Sequence, residues 1–197
     1  MKPDQETLLN SIEHHVQKLF ADVDTRLLIY HNYLHTASVA KHAGEIAAHY
    51  DLSDDEIFEV MAAAWFHDTG HLRGLLEHHE EKSASLATAY LADKGCRTKT
   101  VQAVERCILA TRMPAHPLSL MEQILCDADT YHLGTPDFFV KNEQVWDELE
   151  LRLGKKISNR VAKSIGFLES HQYFTGYCQQ LLLPGKQENI RTLKEMP

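Results

Sequence analysis

Hydrophobic residues recur every three or four positions along most of the chain, which is the spacing of one face of an α-helix. The first such segment carries Leu8, Ile12, Val16 and Phe20. Similar patterns follow at about residues 35–50, 54–68, 79–95, 98–111, 120–133, 135–153, 158–170 and 171–183. No segment alternates between hydrophobic and polar positions as a half-buried strand does. The pattern therefore predicts an all-α fold.

Capping residues and helix breakers predict where these helices begin and end. Ser53-Asp-Asp-Glu56 and Ser119-Leu-Met-Glu122 have the form of a capping box, in which serine and glutamate side chains bind free backbone N–H groups. Gly134 and the pair Pro184-Gly185 are expected to end helices. We therefore expect the last helix to stop before a short charged tail at residues 186–194.

The composition is that of an ordinary globular protein of 197 residues, with 44% hydrophobic and 24% charged residues. Its net charge is −8 and it has no lysine- or arginine-rich run, so we expect no long nucleic acid as a partner. No hydrophobic stretch approaches the roughly 18 residues of a membrane span, and the four cysteines are scattered. We expect a cytoplasmic protein without a membrane partner.

Several histidines and aspartates lie where the helical pattern points to the core. His67 and Asp68 directly follow an apolar run, and His35 shares a face with apolar residues of the preceding helix. A fourth group comes from Asp127 or Asp129, between which helical spacing does not decide. Two imidazoles and two carboxylates suit a divalent ion such as Mn, Fe, Co, Ni, Zn or Mg. Four protein ligands also leave open positions for a water and a substrate oxygen.

In this order the residues resemble the HD-domain phosphohydrolase superfamily, whose pattern is H…HD…D. His35, His67-Asp68 and Asp129 match that pattern, and the likeness covers about residues 30–134. The motifs that make it specific are Tyr30-His-Asn-x-x-His35, His67-Asp-x-Gly-His71 and Asp127-Ala-Asp129. The resemblance implies an HD-like multi-helix core with additional C-terminal helices, a divalent metal ion, and Asp129 as its last ligand.

The chain divides accordingly into three segments of one domain. We expect residues 1–29 to form an N-terminal helical segment that packs on the core, residues 30–134 to form the HD core, and residues 135–197 to form a C-terminal helical extension. The sequence leaves open whether this extension closes the pocket or forms a homodimer surface.

Roles around the metal ion are predicted partly from the position of each residue and partly from the resemblance. Asp68 and His71 are the predicted catalytic residues, Asp68 by orienting a water and His71 by donating a proton or hydrogen bond. His79 is similar to the first of the extra histidines with which some family members hold a second metal ion. The following helix ends without another histidine, so we expect one tightly bound ion with His79 nearby. The predicted substrate-binding residues are His31, Asn32, Arg112 and Lys82.

These features predict a metal-dependent phosphohydrolase, either a phosphomonoesterase or a phosphodiesterase. Its expected substrate is a small phosphate ester, preferably a nucleotide or a cyclic nucleotide, that is cleaved by metal-activated water. Two alternatives stay open at this stage. One is a di-iron oxygenase of the HD type, which needs a fuller set of histidines, and the other is a non-catalytic HD module that senses a ligand.

Overall fold

A computed structural model describes residues 1–73 and 77–196 of the chain. Within these ranges the chain forms nine α-helices and no strand, which confirms the all-α prediction. In chain order the helices are α1 (Pro3–Ala21), α2 (Tyr33–Ala47), α3 (Asp54–Phe66), α4 (His79–Asp93), α5 (Thr98–Ala110), α6 (Leu120–Asp129), α7 (Phe138–Leu153), α8 (Arg160–Ser170) and α9 (Gly176–Glu195).

Helix α3 lies at the centre of the fold and packs against α1, α2, α4, α5 and α6. Its start is the predicted capping box: Ser53 Oγ accepts the Glu56 N–H, and Glu56 Oε2 accepts the Ser53 N–H at 2.9 Å. The helix has hydrophobic residues almost all round, which is typical of a helix buried on every side. Consistent with this, residues 58–60 and 62–66 are all buried.

Helices α2 and α6 both pack on α3 and on each other. The first turn of α2, the residues that follow α3 and the last turn of α6 therefore lie close together. Asn32 fixes the start of α2, because its Oδ1 accepts the N–H groups of Leu34 and His35 at 2.9 and 3.1 Å. This arrangement places residues distant in sequence around one point of the core.

The prediction for the last helix was wrong at both ends. Residues 171–175 lie outside a helix, and α9 continues through Pro184 to Glu195 instead of ending there. A proline inside a helix costs about 3 kcal/mol, so other contacts must offset that cost. The second half of α9 supplies them, since Lys186, Asn189 and Leu193 are buried and Asn189 Nδ2 donates to the Leu133 carbonyl at 3.0 Å.

Gly185 makes this packing sterically feasible. A Cβ atom at this position would lie 2.1 Å from the Gly134 carbonyl oxygen, which no side chain tolerates. Two backbones therefore meet here, those of α9 and of a 3₁₀ segment, Tyr131–Gly134. The glycine that we expected to end a helix instead allows the helix to approach its neighbour.

Two other predicted boundaries also differ. Helix α6 ends at Asp129, and Glu122 accepts the Leu118 N–H instead of completing the capping box with Ser119. Helix α7 begins at Phe138, three residues after the predicted start.

Among the helices in the described ranges, none has the length and apolar character needed to cross a membrane.

Candidate metal centre

Four side chains from three helix ends converge inside the fold. His35 lies in the first turn of α2, His67 and Asp68 follow α3 directly, and Asp129 is the last residue of α6. His35, His67 and Asp68 are buried, whereas a quarter of the Asp129 side chain is exposed. One ligand atom from each of the four lies within 4.8 Å of the others, which is the spacing of a metal-binding group.

The atoms of this cluster are placed as ligands are. Asp68 Oδ2 lies 3.2 Å from both His35 Nε2 and His67 Nε2, and Asp129 Oδ1 lies 3.1 Å from His35 Nε2. His67 Nδ1 donates to the Ala64 carbonyl at 2.8 Å, so its other ring nitrogen is free to ligate. His67 Nε2 and Asp68 Oδ2 are both buried, and neither has a hydrogen-bond partner within the described residues. A divalent cation would satisfy them both.

The charges at the cluster also fit a cation. Burial disfavours a charged imidazole, yet the carboxylates of Asp129 and Asp68 outweigh burial and raise the pKa of His35. The pKa of His67 is raised for the same reason. The two carboxylates thus draw protons onto the neighbouring histidines. A divalent ion would supply that positive charge instead and release those protons, as metal binding to histidine does.

The structure separates the two aspartates between which helical spacing did not decide. Asp127 is fully buried and points away from the cluster. Its carboxylate accepts the N–H groups of Phe174 and Thr175, both at 2.8 Å, and the Thr175 hydroxyl at 2.6 Å. Asp127 therefore holds the segment before α9, and Asp129 is the aspartate that lies with His35.

A second polar group surrounds His71, which is buried beside the metal cluster. Arg152 Nη1 lies 2.9 Å from His71 Nδ1 and donates to Glu148 Oε1 at 3.0 Å. Glu148 also accepts the backbone N–H groups of Tyr30 and His31. Burial lowers the pKa of His71 to about 2, so this imidazole is neutral. Burial opposes ionisation of Glu148, but hydrogen bonds led by that from His31 lower its pKa to about 2.

His71 and His79 both face the second carboxylate oxygen of Asp68. Their Nε2 atoms lie 3.9 and 3.8 Å from Asp68 Oδ1, and their rings stack with centroids 3.9 Å apart. Asp68, His71 and His79 therefore form a further group with metal-binding spacing. The structure brings the two predicted catalytic residues and His79 to one side of the cluster.

The predicted substrate-binding residues lie in different surroundings. His31 Nδ1 lies 2.7 Å from Glu148 Oε1, and its side chain lines the cavity at the cluster. Asn32 uses its amide locally, since Oδ1 caps α2 and Nδ2 donates to the Ile29 carbonyl. Arg112 is half exposed and forms an ion pair with Glu81 at 2.7 Å. Among the described residues that line the cavities at the cluster, neither Arg112 nor Lys82 occurs.

Two of the cavities at the cluster share part of their lining. One, of about 240 Å³, is lined by Asp68, Asp129, His31 and His79. The other, of about 370 Å³, extends towards α8 and is lined mainly by apolar and aromatic side chains. Phe167, Thr130 and Asp129 line both cavities, as do Thr111 and Met113. A bound molecule can therefore contact the metal cluster and the apolar cavity together.

Sequence reasoning missed Glu148 and Arg152. Their spacing of four residues on α7 is a signal for an ion pair on a helix. That signal is common on solvent-exposed helices, and nothing in the sequence shows that α7 turns this face towards His71. The sequence left open whether residues 171–174 close the pocket or form a dimer surface, and in the structure His171, Gln172 and Phe174 line the larger cavity.

The chain belongs to the HD domain family, whose model matches residues 32–134, just over half of the sequence. This match confirms the resemblance predicted from the motifs. A search of curated proteins found no similar sequence.

Two solved structures share the fold. One is described as a predicted HD superfamily hydrolase from an uncultured Thermotogales bacterium, with 21% sequence identity and a TM-score of 0.64. The match covers 94% of this chain and 88% of that one. The other is the Lin1889 protein from Listeria innocua, with 16% identity, a TM-score of 0.67, and coverage of 99% of this chain and 97% of that one. At these identities the likeness concerns the fold alone.

Proposed function

We propose that this protein is a metal-dependent phosphohydrolase that cleaves a small phosphate ester. The observation that carries the proposal is the cluster of His35, His67, Asp68 and Asp129, which has metal-binding spacing and whose two aspartates line a cavity. Membership of the HD domain family and the description of the Thermotogales structure as a hydrolase support it.

In this proposal the four residues of the cluster hold one divalent ion. When bound, such an ion lowers the pKa of water in its coordination shell and offsets negative charge on a phosphoryl oxygen. Asp68 ligates through Oδ2, so its Oδ1 is available to accept a hydrogen bond from the attacking water and to orient it. His71 presents Nε2 to the same space and donates a hydrogen bond to an oxygen of the ester.

His31 completes the polar side of the proposed site. Its Nδ1–H donates to Glu148, which fixes the imidazole at the cavity wall with Nε2 as the group that meets the substrate. A histidine oriented by a carboxylate is suited to binding an ester oxygen. We no longer include Asn32, because its amide is used in capping α2, and substrate binding by Arg112 and Lys82 stays a prediction.

The larger cavity supports a nucleotide or cyclic nucleotide as the substrate. Its 370 Å³ fall within the range of small-molecule sites. Phe167, Phe174 and Met113 provide apolar and aromatic surface on which a planar base can stack. Gln172 and His116 provide polar groups for its edge. Because Phe167 also lines the metal cavity, a base in the larger cavity can be joined to a phosphate at the metal.

The proposal is tested by hydrolysis of a panel of esters. The metal-stripped protein is supplied with Mn, Ni, Co, Mg or Zn and assayed with phosphomonoesters and phosphodiesters, with and without a nucleobase. We expect metal-dependent turnover that is lost in Asp68→Asn but kept in Asp93→Asn, a matched change at an aspartate that is 78% exposed. A bound metal ion without turnover of any ester would contradict the phosphohydrolase and favour the ligand-sensing module.

The substrate preference has its own control. Phe167→Ala removes a half-exposed ring from the proposed base site, and stacking on an aromatic side chain is worth about 1–3 kcal/mol per base. We expect KM for nucleotides to rise about tenfold, while KM for a sugar phosphate changes little. Val161→Ala, at an exposed position of the same helix, should change neither. Equal effects of Phe167→Ala on both substrates would contradict a base site here.

A further inference from the structure

The Arg152 guanidinium lies among side chains that would otherwise suit a metal ion. Ligand atoms of His31, His71 and Glu148 lie within 4.8 Å of one another, which is metal-binding spacing. Arg152 Nη1 contacts two of these residues, at 2.9 Å from His71 Nδ1 and 3.0 Å from Glu148 Oε1. Its side chain is only 4% exposed. A positive charge that belongs to the protein therefore already balances this group.

The contact with Arg152 fixes which nitrogen of His71 carries the proton. A guanidinium has only N–H donors and no acceptor, so His71 Nδ1 must be the acceptor in this hydrogen bond. In a neutral imidazole the other nitrogen then bears the hydrogen. His71 Nε2 is consequently a donor and has no lone pair to offer a metal ion.

This matters because His71 Nε2 is needed by the second candidate site. Asp68, His71 and His79 have the spacing to hold an additional ion beside the main cluster. Such an ion would require the lone pair of His71 Nε2, and it would also lie close to the fixed charge of Arg152. The hydrogen bond and the electrostatic repulsion both oppose it.

The same geometry leaves a donor without a partner. His71 Nε2 is buried, makes no hydrogen bond within the described residues, and lies 3.9 Å from Asp68 Oδ1. Leaving a buried N–H unpaired is unfavourable, and a bound oxygen would remove that cost. Because Asp68 Oδ1 at 3.9 Å is beyond hydrogen-bond distance, this donor is left to meet an oxygen of a bound substrate.

We infer that Arg152 is a positioning residue that stands in for a second metal ion. It holds His71 as an Nε2–H donor towards the phosphate, and it limits the centre to one divalent ion. Arg152 can have this role only if the proposed metal centre at His35, His67, Asp68 and Asp129 is correct. The tests must therefore distinguish a failure of the centre from a failure of this inference.

The first test counts metal ions. We expect the purified wild-type chain to bind one Mn²⁺, measured by elemental analysis and by electron paramagnetic resonance. Arg152→Met removes the charge and every donor at similar length, and we expect it to bind two Mn²⁺ with a spin-coupled signal. Arg152→Lys, which keeps a charge that can only donate, should stay at one. Two ions in the wild type, or one ion in folded Arg152→Met, would overturn the inference.

The second test needs no substitution, so it holds even where Arg152→Met does not fold. Nitrogen-15 NMR of the histidine side chains reports which ring nitrogen of His71 carries hydrogen. We expect the hydrogen on Nε2, both in metal-free protein and with Mg²⁺ bound. A hydrogen on Nδ1 would overturn the inference whatever the metal count. Absence of any bound Mn²⁺ in the wild type, with hydrogen on Nε2, would instead reject the proposed metal centre.

Discussion

Asp127 and Asp129 are two residues apart, yet Asp127 binds the segment before α9 whereas Asp129 lies in the proposed metal cluster. A pair of substitutions can distinguish these two roles. Asp127→Asn should destabilise the fold and leave the metal cluster intact. Asp129→Asn should remove a proposed ligand and leave the fold nearly unchanged. The two variants make the same chemical change, so each is the control for the other.

The expected loss for Asp127→Asn follows from its three hydrogen bonds. Both carboxylate oxygens accept backbone N–H groups, from Phe174 and Thr175. An asparagine replaces one oxygen by an NH₂ group, which turns a donor towards a donor. At least one buried N–H then loses its partner, at a cost of about 1–3 kcal/mol, and the remaining bonds are no longer charge-assisted. We estimate a total of about 3 kcal/mol, or a fall in Tm of about 6–12 °C for a chain of this length.

Asp129→Asn should behave differently in the same assays. In the part of the chain that the structure describes, its carboxylate contacts the imidazoles of His35 and His67 and no backbone N–H. In EDTA we therefore expect the free energy of unfolding in urea to fall by less than it does in Asp127→Asn. Mn²⁺ affinity, measured by calorimetry, should fall at least tenfold, whereas Asp127→Asn should bind Mn²⁺ as the wild type does. Loss of Mn²⁺ binding in Asp127→Asn at an unchanged Tm would refute this assignment.

Three further outcomes are expected. Gly185→Ala should lower the free energy of unfolding in urea by about 3 kcal/mol, because a Cβ would meet the Gly134 carbonyl. Gly166→Ala, in open space on α8, should instead raise it by up to about 1 kcal/mol. Hydrogen bonds from the Ile157 N–H, Lys156 and Arg160 lower the pKa of Glu150 from 4.5 to about 2. The ionised Glu150 side chain therefore stabilises the fold above pH 4.5, and this stabilisation is lost as the pH falls towards 2. Glu150→Gln should flatten the pH dependence of unfolding in that window, and an unchanged slope would contradict the pKa shift. Mn²⁺ at a hundredfold excess over its Kd should raise Tm by about 5–11 °C, and EDTA should abolish that increase.

The fold class and most residues of the cluster could be predicted from local sequence patterns. Helical period fixed which faces are buried, and the Ser53 capping box marked the start of α3. Asp68 could be placed on the buried face because local spacing alone determines which way a helical side chain points. The H…HD…D motif pointed to the HD domain family, which the family match to residues 32–134 confirms.

Features that depend on contacts between distant segments could not be predicted from local patterns. Asp127 and Asp129 occupy equivalent positions in the helical pattern, and the choice between them required the position of Thr175, 48 residues further on. Helix α9 continues past Pro184 because it packs closely against the backbone of Gly134. Helix propensity, which is a local property, cannot predict the stabilisation that this packing provides. Arg152 lies beside His71 because of how α7 packs, although the two residues are 81 positions apart in the sequence. Local sequence sets which way each side chain points on its own helix, but packing decides which other groups it meets.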